Sequence, residues 1–283
     1  MTLVLSRDLV ADAAARSSAV GAFNVVHLET AEALVRAAEN ARLPVILQIS
    51  QNCADYHGGL APIARATLAL AEASSAPVAV HLDHAEREDL VSEAIDLGFG
   101  SVMFDASRLP YDENVAATAR VVAGAHAAGA SVEGELGEIG GKDGAHAPGV
   151  RTDPDEARAF VAATGVDALA VAVGSSHAMT SRTAQLDVEL IARLRAALDV
   201  PLVLHGSSGV ADDVLVQAIS AGMAKVNVST HLNGCFTRAV RDALDADPDL
   251  VDSRRYVRDG RAAVAAEAER MLRLFAGDLA RVS

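Results

Sequence analysis

Eight short runs of Val, Ile, Leu and Ala punctuate this chain, most of them followed by a longer stretch of helical character. They are AVGAFNV (19–25), PVILQIS (44–50), PVAVHLDH (77–84), GSVMFD (100–105), SVEGELG (131–137), DALAVAVG (167–174), PLVLHG (201–206) and AKVNVS (224–229). Nearly continuous apolar runs of this length fit parallel strands that helices cover from outside. Between them lie segments such as ETAEALVRAAENA (29–41), REDLVSEAIDLG (87–98) and ADDVLVQAISAG (211–222). In the last of these, Val214, Leu215, Ala218 and Ile219 form one apolar stripe, and Gly98 and Gly222 fall where helix C-terminal caps belong. Eight strand-then-helix units predict an α/β fold, a (β/α)8 or TIM barrel. An open doubly wound sheet is the structural competitor. Its Gly-x-Gly-x-x-Gly fingerprint is missing from AVGAFNVVHLET, after the first strand.

No linker or short-period repeat divides the chain, so residues 1–283 are expected to form a single barrel domain. GGKDGAHAPGVRTDP (140–154) is the one long Gly/Pro-rich loop, placed after the fifth strand and long enough to move. The tail, about 252–283, reads as one or two extra C-terminal helices outside the barrel.

Composition narrows the functions open to such a fold. A formal charge of −14 gives no general attraction for nucleic acid or anionic lipid, and the absence of Trp argues against a base-stacking surface. An anionic substrate needs backbone amides, a metal or a few cations to reverse the local field. The start, MTLVLSRDLVADAAARS, lacks the pattern of a signal peptide, and no apolar run reaches the roughly 18 residues of a membrane span. Cys53 and Cys235 are the only cysteines, which suits a reducing cytoplasm better than a disulfide framework.

In barrels of this kind the chemistry gathers at the C-terminal strand ends. Here the third run ends in HLDH, the fifth in EGELG, the sixth leads into GSSH, the seventh into HGSSG and the eighth into NVST. His84, His177 and His205 therefore sit at three separate strand ends. Three converging imidazoles with a coordination position left open make a catalytic zinc site, with cobalt, iron or manganese as alternatives. The competing reading is three hydrogen-bonded structural histidines. Asp83, beside the first, is placed to carry a proton to or from a substrate oxygen, or else only to orient a neighbouring imidazole. By two-residue alternation His81 and Asp83 share a side of the strand and His84 faces differently, so His81 is expected behind the ligands. Glu133 and Glu135 share a face and could approach the metal, support a ligand His, or simply be solvated. Asp143 and His146 are candidate acids or bases in the long loop. HGSSG (205–209) and NVST (227–230) fall where barrels often hold a phosphate, on amides and hydroxyls, although either alone is ordinary turn chemistry.

Taken in order, HLDH, EGELG followed by GG, GSSH, LHGSSG and KVNVST resemble the class II, zinc-dependent ketose-bisphosphate aldolases, a family that includes the fructose- and tagatose-1,6-bisphosphate enzymes. The resemblance runs from AFN (22–24) to SRRYVRDGRAAV (253–264). It implies a metal-dependent lyase. Such an enzyme cleaves a ketose 1,6-bisphosphate reversibly to dihydroxyacetone phosphate and an aldehyde, glyceraldehyde 3-phosphate for the fructose and tagatose substrates. His84, His177 and His205 match the zinc ligands, and Glu135 matches a Glu near the metal. Asp83 matches the residue that takes the C4 hydroxyl proton. Gly174, Gly206, Ser207 and Thr230 match the C1-phosphate cradle, with Ser208 in the same motif. Ala178 stands where a glycine is common, its NH still available. Asn227 and Ser229 match contacts to the reacting half of the sugar, and Asn24 and Ser50 match further substrate contacts. No Schiff-base lysine is needed: Lys142 lies in the loop and Lys225 opens the eighth strand, away from the rim. The resemblance allows a monovalent cation beside the zinc, and implies a homodimer or homotetramer.

One departure stands out. The family loop carries Glu-Asp after its two glycines, whereas this loop reads Gly140-Gly141-Lys142-Asp143-Gly144. Asp143 falls at the Glu position, one methylene shorter, and His146 is available to share its work. Three alternatives remain at this stage: a non-catalytic sugar-phosphate-binding subunit of an aldolase complex, an aldolase for a phosphorylated deoxy sugar acid, and a metal hydrolase. The hydrolase would be announced by His-x-His at the first strand, where this chain has only His27.

Overall fold

A computed structural model describes residues 3–137 and 150–278. Among these the chain opens with α1 (Ser6–Ala15) and then alternates strand and helix. The order is β1 (Val20–Asn24), α2 (Leu28–Ala41), β2 (Val45–Ser50), α3 (Gln51–Tyr56), α4 (Ala61–Ala73), β3 (Val78–Ala85), α5 (Glu88–Asp96) and β4 (Ser101–Phe104). It continues with α6 (Tyr111–Ala127), β5 (Ser131–Leu136), α7 (Pro154–Thr164), β6 (Ala168–Val171), α8 (Val188–Ala197) and β7 (Leu202–Leu204). Last come α9 (Asp212–Ala221), β8 (Met223–Val228), α10 (Thr230–Ala246) and α11 (Ser253–Phe275). The eight strands pair in sequence order, all parallel, and β8 closes on β1. The expected barrel is the observed one.

Register explains why the strands look so apolar. Outward positions such as Val45, Leu47 and Ile49 on β2 and Val78, Val80 and Leu82 on β3 join one large core under the helices. Inward positions carry the polar groups: the ladder sets His81 beside Ser101, and Met103 beside Glu133. At the bottom, α1 plugs the barrel with Val10 and Ala13 packed on Val20, Ala22, Ile46 and Ala79.

The sixth and seventh strands are shorter than their apolar runs. β6 stops at Val171 and β7 at Leu204, so GSSH and HGSSG leave the sheet as loops. Gly206 is the reason at β7: its φ of +65° turns the chain into a short 3-10 turn, Ser207–Gly209.

The tail forms one helix, α11, outside the strand barrel as expected; it packs on α2, α10, α9 and β1 in the outer ring of helices. Gly260, Val264, Ala268, Leu272 and Phe275 make its buried stripe at helical spacing, and Phe275 meets Phe23 at a ring separation of 6.4 Å. α10, directly after β8, packs along α11, where the Phe236 ring lies against Gly260, and Leu232 is its only fully buried residue. No described helix is long and apolar enough to cross a membrane.

Candidate active site

The strand ends open into a cavity of about 330 Å³. His84, His177 and His205 meet at its floor, with ring centroids 4.6 Å apart for His84 and His205, 4.9 Å for His84 and His177, and 5.7 Å for His177 and His205. One ligating atom from each lies within 4.8 Å of the others. The hydrogen bonds behind the rings define what faces inward. Asp105 Oδ2 lies 2.8 Å from His84 Nδ1, and Glu133 Oε1 lies 2.8 Å from His205 Nε2. A carboxylate takes an N–H, so the other nitrogen of each ring is left as the acceptor. Those two nitrogens, His84 Nε2 and His205 Nδ1, are only 2.8 Å apart. Two lone pairs at that distance repel unless a cation sits between them. The donor set thus fits a divalent ion that accepts imidazole.

A bulge produces this arrangement. Between Leu82 and Ala85 the β3–β4 register shifts, and His84 adopts a φ of +46°. The consecutive residues Asp83 and His84 therefore both line the cavity, against the simple alternation expected for them. His81 lies deeper, with Nδ1 2.7 Å from Ser101 Oγ.

Asp83 is 3 % exposed and held on both oxygens. Asn24 donates to Oδ2 at 2.9 Å and is itself braced by Gln48 at 2.8 Å, while Asn227 Nδ2 approaches Oδ1 at 3.4 Å. Burial alone would raise the Asp83 pKa. The neighbouring His84, His205 and Lys225 charges and the Asn24 bond outweigh it and hold the carboxyl below its ordinary value. Asp83 is thereby kept as a proton acceptor.

The wall above is built from the β6, β7 and β8 ends. Ala178, Gly206, Ser208, Asn227, Ser229 and Thr230 line it, and Asn24 and Ser50 line the opposite side. Amides of a left-handed turn and hydroxyls in one wall can hold an anion. Asn227 Oδ1 is buried without a hydrogen-bond partner among the described residues. Its orphaned acceptor is available to a substrate hydroxyl.

A class-II fructose-bisphosphate aldolase family model matches residues 4–278. The chain belongs to this family. A fructose-bisphosphate aldolase of Geobacillus stearothermophilus is 40% identical over 279 residues, covering 97% of each chain. A probable fructose-bisphosphate aldolase of Bacillus subtilis is 40% identical over 268 residues, 93% of this chain and 94% of the relative. Among solved structures, the YdjI aldolase from Escherichia coli K12 has a TM-score of 0.82 at 33% identity, covering 96% of this chain and 97% of that one. A putative fructose-1,6-bisphosphate aldolase from Coccidioides immitis has a TM-score of 0.86 at 32% identity, with 95% of both chains covered.

Against the family expectations, most site residues come together at the cavity. Ser207 and Gly174 stand behind the lining. The Ser207 hydroxyl donates to the Asn227 carbonyl, and Gly174, at φ +117°, lies against the Gln185 carbonyl. Glu135 is fully buried and joins Asp105 and His84 in a second group with ligand spacing, which shares His84 with the three histidines. Asp143, Lys142 and His146 lie outside the described residues. Lys225 is not remote from the chemistry. Its side chain enters the barrel, where Nζ lies 2.6 Å from Glu133 Oε2.

Sequence reasoning missed several groups. Asp105 ends the GSVMFD run, and the strand-end rule that found His84 would have found it too. Gln48 is an inward residue of a run read as apolar. Arg108 reaches the cavity from the loop after β4, 3.8 Å from Glu86, and is the only Arg or Lys among the described lining residues.

Proposed function

We propose that the protein catalyses reversible retro-aldol cleavage of a ketose 1,6-bisphosphate to dihydroxyacetone phosphate and glyceraldehyde 3-phosphate. Fructose 1,6-bisphosphate is the leading substrate, because the bacterial relatives carry that sugar in their names. The carrying observation is the convergence of three imidazoles and the Asp83 carboxyl on one cavity. His84, His177 and His205 would hold zinc, with cobalt, iron or manganese as substitutes. When bound, the ion supplies Lewis-acid stabilisation of the negative charge that builds on the substrate oxygens.

The remaining work belongs to side chains. Asp83 accepts the proton of the C4 hydroxyl. The C3–C4 bond pair then stays on C3, and C4 departs as the aldehyde. Asn24 and Asn227 fix both oxygens of Asp83, so its basic lone pair holds one direction toward the cavity. The Asn227 Oδ1 acceptor suits a hydroxyl of the three-carbon half. The Gly206 and Ala178 amides with the Ser208, Ser229 and Thr230 hydroxyls suit the C1 phosphate, and Ser50 suits the aldehyde half. Asp143 is assigned the proton exchanged at C3 of dihydroxyacetone phosphate. Asp143→Ala should slow tritium exchange on that ketone more than it alters zinc binding; unchanged exchange removes Asp143 from the scheme.

A cytoplasmic location and assembly as a homodimer or homotetramer complete the reading. Two free cysteines suit a reducing compartment, and Leu244 and Val251 leave apolar surface exposed around α10. The decisive experiment is chelation. EDTA should abolish cleavage of fructose 1,6-bisphosphate and zinc should restore it. Cleavage that persists after complete metal removal rules the scheme out.

A further inference from the structure

Lys225 is one of two lysines in the chain and is only 2 % exposed. An ammonium paired with a carboxylate in a barrel interior is a poor way to gain stability. Desolvating both charges offsets most of their attraction, and apolar replacements of such pairs are often neutral or stabilising. The geometry supplies another reason for keeping it. Glu133 spends one oxygen on Lys225 Nζ at 2.6 Å and the other on His205 Nε2 at 2.8 Å. His81 Nε2 lies 3.4 Å from the same ammonium, and its Nδ1 lies 2.7 Å from Ser101 Oγ. Burial, reinforced by the Lys225 charge, holds the His81 pKa well below its ordinary value, so a neutral imidazole faces Nζ. The ammonium is thus fixed from β3 and β5 at once.

What the pin prevents is visible beneath it. A cavity of about 280 Å³ lies toward the bottom of the barrel, lined by His81, Glu133 and Lys225 and by Ser6 and Val10 of α1. Released from the ammonium, the Glu133 carboxylate has room to turn into that space and take up water. His205 would then lose the acceptor that keeps its Nε2–H in place and its Nδ1 aimed at His84 and His177.

We propose that Lys225 is a positioning residue for the metal centre: it pins the Glu133 carboxylate so that His205 presents Nδ1 to the ion. The proposal rests on the three-histidine metal reading above. It also gives the interior lysine a role unrelated to Schiff-base chemistry.

The test uses purified metal-free protein and zinc alone. Affinity is read by competition with a chromophoric chelator, ligand geometry by the visible spectrum of the cobalt(II)-loaded protein, and folding by the melting temperature without metal. Lys225→Met should weaken zinc binding about ten- to a hundredfold, the range for lost partners of metal-bound histidines, and shift the cobalt absorption. A purely structural lysine gives another pattern: a lower melting temperature, with zinc affinity and cobalt spectrum of the folded protein unchanged. That pattern overturns the proposal. Should the single variant not fold, Glu133→Gln/Lys225→Met buries no unpaired charge and carries the test. The same loss of affinity is expected there, and wild-type affinity in the double variant is equally fatal. Wild-type protein that binds no zinc counts against the three-histidine reading itself. Wild-type binding with unaltered variants counts against Lys225 alone.

Discussion

Asp83 and His84 show how much one residue's backbone can decide. On a regular strand two neighbours point to opposite faces, and only one could reach the barrel mouth. The register shift after Leu82 and the positive φ of His84 send both there, a proton acceptor beside an imidazole. The sequence identified both residues by type and position, but two-residue alternation carries no sign of a bulge. The same limit hid the cradle around Asp83, because Gln48 sits in an apolar run and braces Asn24 only across strands. Asp83 is held by amide donors, Asn24 on one oxygen and Asn227 on the other. Asp83→Ala should therefore keep the wild-type zinc content while cleavage falls by about two to four orders of magnitude, the usual worth of a positioned acid–base group. Metal analysis and turnover on the same preparation check this. Loss of zinc in step with activity would recast Asp83 as a support for His84.

At the scale of elements, the strand-to-loop transitions carry the site, and glycines fix where they occur. Gly206 ends β7 at a φ of +65°, and a Cβ there would meet the Ser176 backbone at 2.6 to 2.8 Å. Two effects therefore oppose a side chain: the left-handed conformation, costing about 1–3 kcal/mol for a residue other than glycine, and a contact with backbone that cannot rotate away. Ser176 immediately precedes His177, so the clash pushes the loop that delivers an imidazole. Gly206→Ala should lower the melting temperature and raise KM for the bisphosphate through a disturbed phosphate wall. Thermal melts and steady-state kinetics read the two effects, and a variant with wild-type KM would separate the turn from the anion site. The alternation of strands and helices made the barrel legible at this scale, down to most strand boundaries. The placement of α11 was not legible. Its Gly260–Phe275 stripe states that one face is buried, but not that α2, α10, α9 and β1 bury it.

Across the whole molecule, α11 links the end of the chain to the substrate wall. Arg270 bonds Asp212 Oδ2 and Glu267 Oε1, each at 2.7 Å, and Arg182 from the loop after β6 pairs with the same Asp212. Glu267 also meets His231 Nε2 at 2.7 Å, and the His231 backbone N–H donates to Ser208 Oγ in the cavity wall. Nothing in the sequence pairs residues this far apart, since each looks like an ordinary surface charge in its own segment. Burial would raise the Glu267 pKa, but hydrogen bonds from Arg270 and His231 overcome it and bring the value to about 2, from 4.5. Asp212 is likewise held below its ordinary value by Arg270 and Arg182 against the opposing effect of burial. The sign follows from linkage: a carboxyl with a depressed folded pKa contributes its full stabilisation above the unfolded value and loses it as pH falls through the folded one. Metal-free protein should therefore melt at progressively lower temperature as pH drops from about 4.5 toward 2. Metal-free conditions matter because protonation of the imidazoles would otherwise add zinc loss to the same acid limb. Glu267→Gln keeps the shape of the side chain but cannot titrate, so its melting temperature should start lower at neutral pH and fall less steeply over that window. Melting curves for the two proteins that run parallel from pH 5 to 2 would show that this cluster is screened by solvent and contributes nothing to acid stability.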